Sequence, residues 1–277
     1  MRHTPLLFGI HARPPGPLEW ILPFVIPVVV FVVYDYYATV YLELNPQGKI
    51  LPSFGMMGQR IWDLAFTLDP RAHVYLLWSD TLVSLIRFFT GLTLAAIVGL
   101  LLGMNMALFP GMRLLLLGTV VALSFIPMVA MLPILLIALG IGEEAKITLI
   151  FLGLVFFITR DMEGATRRLP KPLLDKARTL GASELALVYR IVFPMILPRL
   201  LESIRLNLGP AWLFLITGEA IAASQGLAYR IFLFRRVGPD MAGIIPYVAW
   251  IGILSFTTFY LILCLQKHLC GWEGRDE

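Results

Sequence analysis

The sequence predicts an all-α membrane protein that crosses the bilayer about six times, and three observations carry the prediction. The first is composition: of 277 residues, 58% are hydrophobic and 14% charged, with a mean hydropathy of +0.83, against roughly 45–50% and about 25% in soluble domains. A core of that size cannot hide so much apolar surface, so lipid must solvate most of it. The second is a series of apolar runs near the ~20 residues that cross a hydrocarbon core, at 19–41, 81–109, 113–140, 195–223 and 242–267, with a shorter one at 146–160. The third is charge asymmetry. Thirteen Lys and Arg fall on one side of these spans, eight of them in 160–199, and seven on the other: Lys49, Arg60, Arg71, Lys146, Arg230, Arg235 and Arg236. Positive residues favour the inside, which puts both termini in the cytoplasm. The formal charge of +4 is then a topology signal, and nucleic acid drops out as a partner.

The chain divides into a cytoplasmic tail (1–18), a first membrane helix with an external loop (19–78), a core (79–267) and a cytoplasmic tail (268–277). The first apolar run follows Arg2 and Arg13, but it outlasts the ~15 residues of a signal-peptide core and lacks a small-residue cleavage site. It is therefore the first membrane helix. In the second span Gly99 and Gly103 form a GxxxG, which is read as packing. Pro127 and Pro133 in the third span each remove a backbone donor and predict a kinked helix. Such a break either lines a pathway or serves packing, and both readings stay open. The run 146–160 falls short of the usual minimum, yet the charges around it require a crossing.

Glu219 lies in the outer part of the fifth span. An ionised carboxylate near the centre of a membrane helix costs about 2.5–3.5 kcal/mol, so it must face a partner in the bundle interior. Arg87 in the second span is one candidate and a cationic solute another; gating or helix packing are the alternatives to a solute role. Arg205, three residues after Glu202, is expected to pair with it. Trp212, Trp250, Met128 and Met131 either line the pathway or pack, packing being the commoner use in membrane helices. Cys264 and Cys270, six apart on an apparent helix, stand about 9 Å apart, too far for a bridge. His3, His11, His73 and His268 have no ligand spacing, and no P-loop, HExxH or GxSxG is present. Any chemistry belongs to a partner.

One long stretch does not belong to lipid: 160–194, RDMEGATRRLPKPLLDKARTLGASELALVYRIVFP. It reads as two short helices. Pro172 suits a first turn, Leu173, Ala177 and Leu180 recur on one face, Gly181 is a left-handed stop, and Ser183 caps a second helix running toward Tyr189. Asp175, Lys176, Arg178 and Glu184 ring a small apolar face. The element is a docking knob for another protein or a hairpin lying at the lipid interface.

Within it, DKARTLGAS followed by RIVFP resembles the EAA motif of permease subunits of ATP-binding-cassette importers. Gly181, Ile191 and Pro194 fall at matching positions, while Asp175, Lys176 and Phe193 replace the usual glutamate, alanine and leucine. The run LGPAWLFLITGEAIAASQGLAYRIF at 208–232 is similar to the nitrate, sulfonate, taurine and bicarbonate branch of these permeases, and the likeness covers most of 79–267. LNPQGKILP at 44–52, LWSDTL at 77–82 and RIFLFRR at 230–236 resemble permeases associated with urea or guanidine carboxylases. The resemblance implies a type I importer permease fold, a coupling helix, and a prokaryotic plasma (inner) membrane location. It implies two ATPase subunits that hold ATP and Mg, a periplasmic or lipid-anchored substrate-binding protein, and a second permease copy forming a homodimer. The chain itself would be no enzyme and hold no cofactor. ATPase coupling would fall on Asp175, Ala177, Leu180, Gly181, Ala182, Ser183, Glu184, Ile191 and Pro194; Glu219, Arg87, Pro127 and Pro133 are the pathway candidates, and an acid occupies the Glu219 place across this branch.

The competing class is an ion-coupled secondary transporter, which would use Arg87 and Glu219 without ATP but should show paired broken helices in two halves. One broken helix is found and no second copy. A membrane-embedded enzyme would need clustered His, Asp or Ser at midplane, which are missing. The solute stays open between a cationic guanidine or urea type, suited to Glu219, and nitrate, sulfonate, taurine or bicarbonate, suited to Arg87.

Overall fold

All regular structure among the described residues is helical; the computed structural model describes residues 16–45, 49–70 and 72–271. Arg2, Arg13, Arg71, Arg275, His3, His11 and most of both expected tails lie outside them. In chain order come α1 (Gly16–Leu44), α2 (Phe54–Phe66), α3 (Leu76–Leu108), α4 (Pro110–Ser124), a 3-10 turn (Met128–Met131), α5 (Leu132–Leu139) and α6 (Glu143–Arg167). There follow α7 (Lys171–Thr179), α8 (Glu184–Leu187), a π-helical turn (Val188–Val192), α9 (Phe193–Leu206), α10 (Leu208–Ala222), α11 (Leu227–Val237) and α12 (Met241–Leu269). Ile21–Leu44, α3 and α12 are each long and apolar enough to cross a membrane, and two bent pairs pass the same test together.

The pair α3 and α6 forms the axis of the bundle, and small residues set how close they come. Gly91, Ala95, Gly99 and Gly103 recur every fourth residue along α3. A Cβ on Gly91 would stand 2.7 Å from Ile150 Cβ, one on Gly99 2.8 Å from Ile158 Cγ2, and one on Gly103 2.7 Å from Met162 Cβ. This is the close small-residue packing that membrane helices use in place of hydrophobic drive. The constant offset between partners shows that the two helices run parallel. The short apolar run at 146–160 lies inside a longer helix: α6 has 25 residues, the charges that delimit the run belong to the helix itself, and α6 is not among the helices long and apolar enough to cross on that measure.

Parallel packing has a topological consequence, since the chain must return from the end of α3 to the start of α6. The return is α4, the 3-10 turn and α5, bent by 87° at the break. The sequence predicted a kink there; the outcome is a near right angle. Pro127 stands immediately before the 3-10 turn and Pro133 in the first turn of α5, so neither has to supply an intrahelical N–H and both mark new helix starts. Next to the other end of α6, α9 and α10 run back antiparallel to it: Ser203 Oγ donates to Asp161 Oδ2 at 2.6 Å, and Phe214 packs where a Gly153 Cβ would stand. The expected fifth span is thus two helices joined at Asn207. Its continuation, α11, bends away by 46° and lies across the bundle end before α12 descends.

The molecule therefore has two ends. One carries the starts of α3, α6, α11 and α12 with the finish of α10, here the Glu219 end. The other carries α7 and α8, the loop end. α1 stands apart, with 6% of its apolar window buried. It touches the rest where Tyr34 Oη donates to the Pro52 carbonyl at 2.8 Å and where Phe31 and Tyr34 meet Phe54, with ring centres 5.5 and 5.3 Å apart.

Candidate functional site

At the Glu219 end, one face of α3 presents Asp80, Ser84 and Arg87, at helical spacing, to the broken tip of the fifth span. All three are buried. Glu219 on α10 has a fully buried side chain with a full set of donors: Ser84 Oγ at 2.7 Å, Arg87 Nη1 at 2.8 Å and the Ala228 N–H at 3.0 Å. Arg87 Nη1 also donates to the Gln225 carbonyl at 2.8 Å. The start of α11 is tied down the same way, with the Gly226 N–H on Asp80 Oδ1 at 3.1 Å and the Leu227 N–H on Ser84 Oγ at 2.9 Å. Three N–H groups that a helix start leaves without intrahelical partners are thus satisfied by side chains of other helices, two of them carboxylates, which the helix dipole also favours.

Gly226 makes that arrangement possible. Its φ is +127°, and a Cβ there would fall 2.5 Å from the Glu219 carboxyl carbon, so backbone conformation and space both demand glycine. Asp80 closes the other side: Arg230 Nε and Nη2 donate to it at 2.7 and 3.2 Å, and Tyr247 Oη at 3.2 Å. Below it, Trp250 Nε1 donates to Thr81 Oγ1 at 2.9 Å. Outside the pair, Arg87 Nε and Nη2 and Lys146 Nζ all donate to Glu143.

The structure therefore brings Arg87 and Glu219 together, as their shared need for a partner required. Asp80, Ser84, Glu143, Lys146, Arg230 and Tyr247 were not singled out from sequence as members of this cluster. The available signal was Asp80, Ser84 and Arg87 on one helical face. Lys146 and Arg230 were counted as loop charges on the outer side, and that is corrected: both lie within helices as members of ion pairs. Trp212 stacks on Phe88 with ring centres 4.6 Å apart, and Trp250 meets Trp78 edge to face. Pro127 and Pro133 are exposed on the surface of this chain.

At the loop end, α7 stops in a Schellman motif, with the Ala182 N–H on the Ala177 carbonyl at 3.1 Å and the Gly181 N–H on the Arg178 carbonyl at 2.9 Å. Gly181 has φ +85° with open space around it, and Ser183 Oγ accepts from the Ala186 N–H at 3.2 Å to start α8. No residue of α7 is buried. The predicted face of Leu173, Ala177 and Leu180 is corrected to Leu174 and Ala177, which turn toward the bundle; Leu180 terminates the helix and is 79% exposed, with Leu185 and Tyr189 beside it at 70% and 68%. Asp175 and Glu184 flank this apolar tip in exposed ion pairs with Arg178. Ile191 falls in the π-helical turn and Pro194 in the first turn of α9. Arg205 does not take Glu202, because Arg199 already holds it at 2.8 Å; Arg205 lies over the Phe259 ring instead. Between α6 and α9 at this end is a polar cavity of about 590 Å³, lined in part by Arg160, Asp161, Arg168, Arg199 and Glu202. Cys264 is exposed and Cys270 buried.

The fold is shared with solved transporters. A chain of the inward-facing MetNI methionine ABC transporter superposes with a TM-score of 0.61 at 20% identity, covering 73% of this chain and 99% of that one. In sequence, the taurine transport system permease protein TauC of Escherichia coli is 30% identical over 73% of both chains, and the putative aliphatic sulfonates transport permease protein SsuC of Bacillus subtilis is 29% identical over 70% of both. The family model described as binding-protein-dependent transport system inner membrane component matches residues 76–269, so the chain belongs to that family of ABC transporter permeases.

Proposed function

We propose that this chain forms the translocation path for a small solute and that residues 175–194 transmit the action of a separate ATP- and Mg-binding ATPase to it. The observation that carries the reading is the loop end: a capped, two-helix element with no buried residue in α7 and three large apolar side chains held outward. An isolated protein gains nothing from that exposure, whereas a groove on an ATPase would cover it. Asp175, Ala177, Leu180, Gly181, Ala182, Ser183 and Glu184 build the knob, while Ile191 and Pro194 join it to α9, so that a push on it moves the fifth span. The system would comprise two ATPases, two permease copies and a substrate-binding protein outside the membrane. Pro127 and Pro133 break the helix on a surface that a second copy would convert into the path wall.

The solute is of the taurine or sulfonate type. The names of the similar permeases support this, and the cluster around Arg87 agrees with it, since Glu219, the acid that would attract a guanidine-type cation, is fully engaged with Arg87, Ser84 and Ala228. Glu219 thus braces Arg87 rather than touching solute.

Gly181→Trp tests the coupling role. The variant complex should assemble in the membrane and lose solute-stimulated ATP hydrolysis; normal stimulation would overturn the reading. The orientation that goes with it puts the loop end in the cytoplasm. A cysteine at Trp62 on α2 should then react with an impermeant maleimide from outside intact cells, and one at Lys171 should not.

A further inference from the structure

Three donor groups from two buried cations converge on one point at the Glu219 end, and a residue of the same chain fills it. Arg87 directs Nε and Nη2, and Lys146 directs Nζ at 2.9 Å, to the Glu143 carboxylate. The side chains of Arg87 and Lys146 are 3% and 4% exposed, while that of Glu143 is 54% exposed. Arg87 Nη1 is taken by Glu219 and Gln225. Among the described residues, Lys146 Nζ has Glu143 as its one acceptor. Counting the cluster without Glu143 leaves Arg87, Lys146 and Arg230 against Asp80 and Glu219, a net charge of +1. The one member that can leave by turning its side chain into solvent is thus the one whose departure uncovers an unpaired positive site.

We propose that the Glu143 carboxylate occupies a binding site for a small oxyanion, and that a sulfonate or carboxylate displaces it there. The chemistry is that of a guanidinium fork plus an ammonium. Two oxygens of the ligand accept from Arg87 Nε and Nη2, as the two Glu143 oxygens do, and one accepts from Lys146 as well. A guanidinium ion has donors only and would meet three more donors. Glu144, the next acid on α6, folds back against Gly142, and it is Glu143 that accepts from Arg87 Nε and Nη2 and from Lys146. The inference rests on the proposed transport role for its meaning, since the bound anion would be the solute or its acidic group, but the binding itself needs no ATPase activity.

The test is a titration of the nucleotide-free permease–ATPase complex in lipid nanodiscs with sodium ethanesulfonate and, separately, guanidinium chloride, at constant ionic strength, read by calorimetry. An intramolecular carboxylate competes at high effective concentration, so Glu143→Gln should bind ethanesulfonate at least ~10-fold more tightly than the unmodified complex. Adding Lys146→Met to that variant should abolish the gain, and guanidinium should show no binding to either. Unchanged affinity in Glu143→Gln, a gain that survives Lys146→Met, or equal binding of guanidinium overturns the proposal. If Glu143→Gln does not assemble, Glu143→Asp, one methylene shorter, is titrated instead and should bind more tightly than the unmodified complex. Failure of both to assemble also overturns it, because a displaceable side chain cannot be one the fold requires. Flat anion titrations in a complex whose Gly181→Trp variant loses stimulated ATP hydrolysis would sink this inference and leave the coupling role intact.

Discussion

The two ends of the molecule handle charge and apolar surface in opposite ways. At the Glu219 end, Asp80, Arg87, Lys146 and Glu219 are all buried, and their polar atoms are satisfied by groups from α3, α6, α10, α11 and α12. At the loop end the ion pairs Asp175–Arg178 and Arg178–Glu184 are more than half exposed on both sides, and Leu180, Leu185 and Tyr189 project outward. Apart from the half-exposed Glu143, the partners are buried and fixed by the helices, and breaking one of those buried pairs costs several kcal/mol. An exposed knob has energy to gain only from another molecule. Under the proposed function the first end holds a conformation and the second receives a signal, and the parallel pair α3 and α6, about 37 Å long at ~1.5 Å per residue of α6, joins them.

The largest effect should come from breaking the buried pair. Glu219→Leu leaves the Arg87 guanidinium without one of its two carboxylates and strips Ala228 and Ser84 of an acceptor, a loss of about 3–5 kcal/mol. The amount of assembled complex in the membrane should fall severalfold. Glu219→Gln keeps one acceptor oxygen, enough for Ser84 and Arg87 or for Ala228 but not for both sides, and should lose less than leucine, which accepts from none. Partial rescue of Glu219→Leu by Arg87→Met would show that the unpaired charge is the cause. Normal assembly of the Leu variant would mean that the cluster does not hold the bundle and would collapse the contrast between the ends.

Two of the positive-φ glycines, Gly181 and Gly226, sharpen the comparison, because both hold backbone that side chains rarely adopt and they differ in surroundings. Alanine at either carries a backbone penalty of about 1–3 kcal/mol. At Gly181 that is all, since nothing lies within 4 Å of the added Cβ, whereas at Gly226 the Cβ would also be driven into the Glu219 carboxylate. Gly226→Ala should therefore lower the thermal unfolding midpoint of the solubilised complex clearly more than Gly181→Ala does. Equal shifts would show that the carboxylate and α11 can separate at little cost, which is what a gate rather than a brace would do.

How much of this was legible in the sequence depended on the range of the interaction. The loop end could be read closely because its structure is local: Gly181, Ser183 and Pro172 act within a few residues of themselves, and the Schellman motif and cap follow from them. The Arg87–Glu219 pair was legible for another reason, that each ion alone in a membrane helix demands a partner. What escaped was whatever depends on three-dimensional adjacency between distant elements. Asp80 and Arg230, 150 residues apart, look like a helix-end acid and a loop base until α11 folds across the bundle. Lys146 looked like a boundary because apolar runs are counted by composition, and composition cannot see that Glu143 lies one turn behind it to take its charge. The right-angle break at 125–131 is of the same kind: two prolines predict an interruption, and only the parallel packing of α3 on α6 forces the chain to turn so far.

The smallest expected effect is at Arg178, and its smallness is the content of the prediction. This residue holds Glu184 at 3.3 Å and Asp175 at 3.9 Å, which on a drawing matches the geometry around Arg87. But its side chain is 53% exposed and its partners 69% and 75%, so water and salt screen both contacts and surface pairs of this kind contribute about 0–1 kcal/mol. Arg178→Ala should leave assembly unchanged and move the unfolding midpoint hardly at all in moderate salt. Any effect should appear instead in the affinity for the ATPase and should shrink as salt is raised, as expected of a charge that meets its working partner on another subunit. If Arg178→Ala destabilised the isolated permease as much as Glu219→Leu, the loop would be part of the fold's own support, and the division between an end that holds and an end that receives would fail.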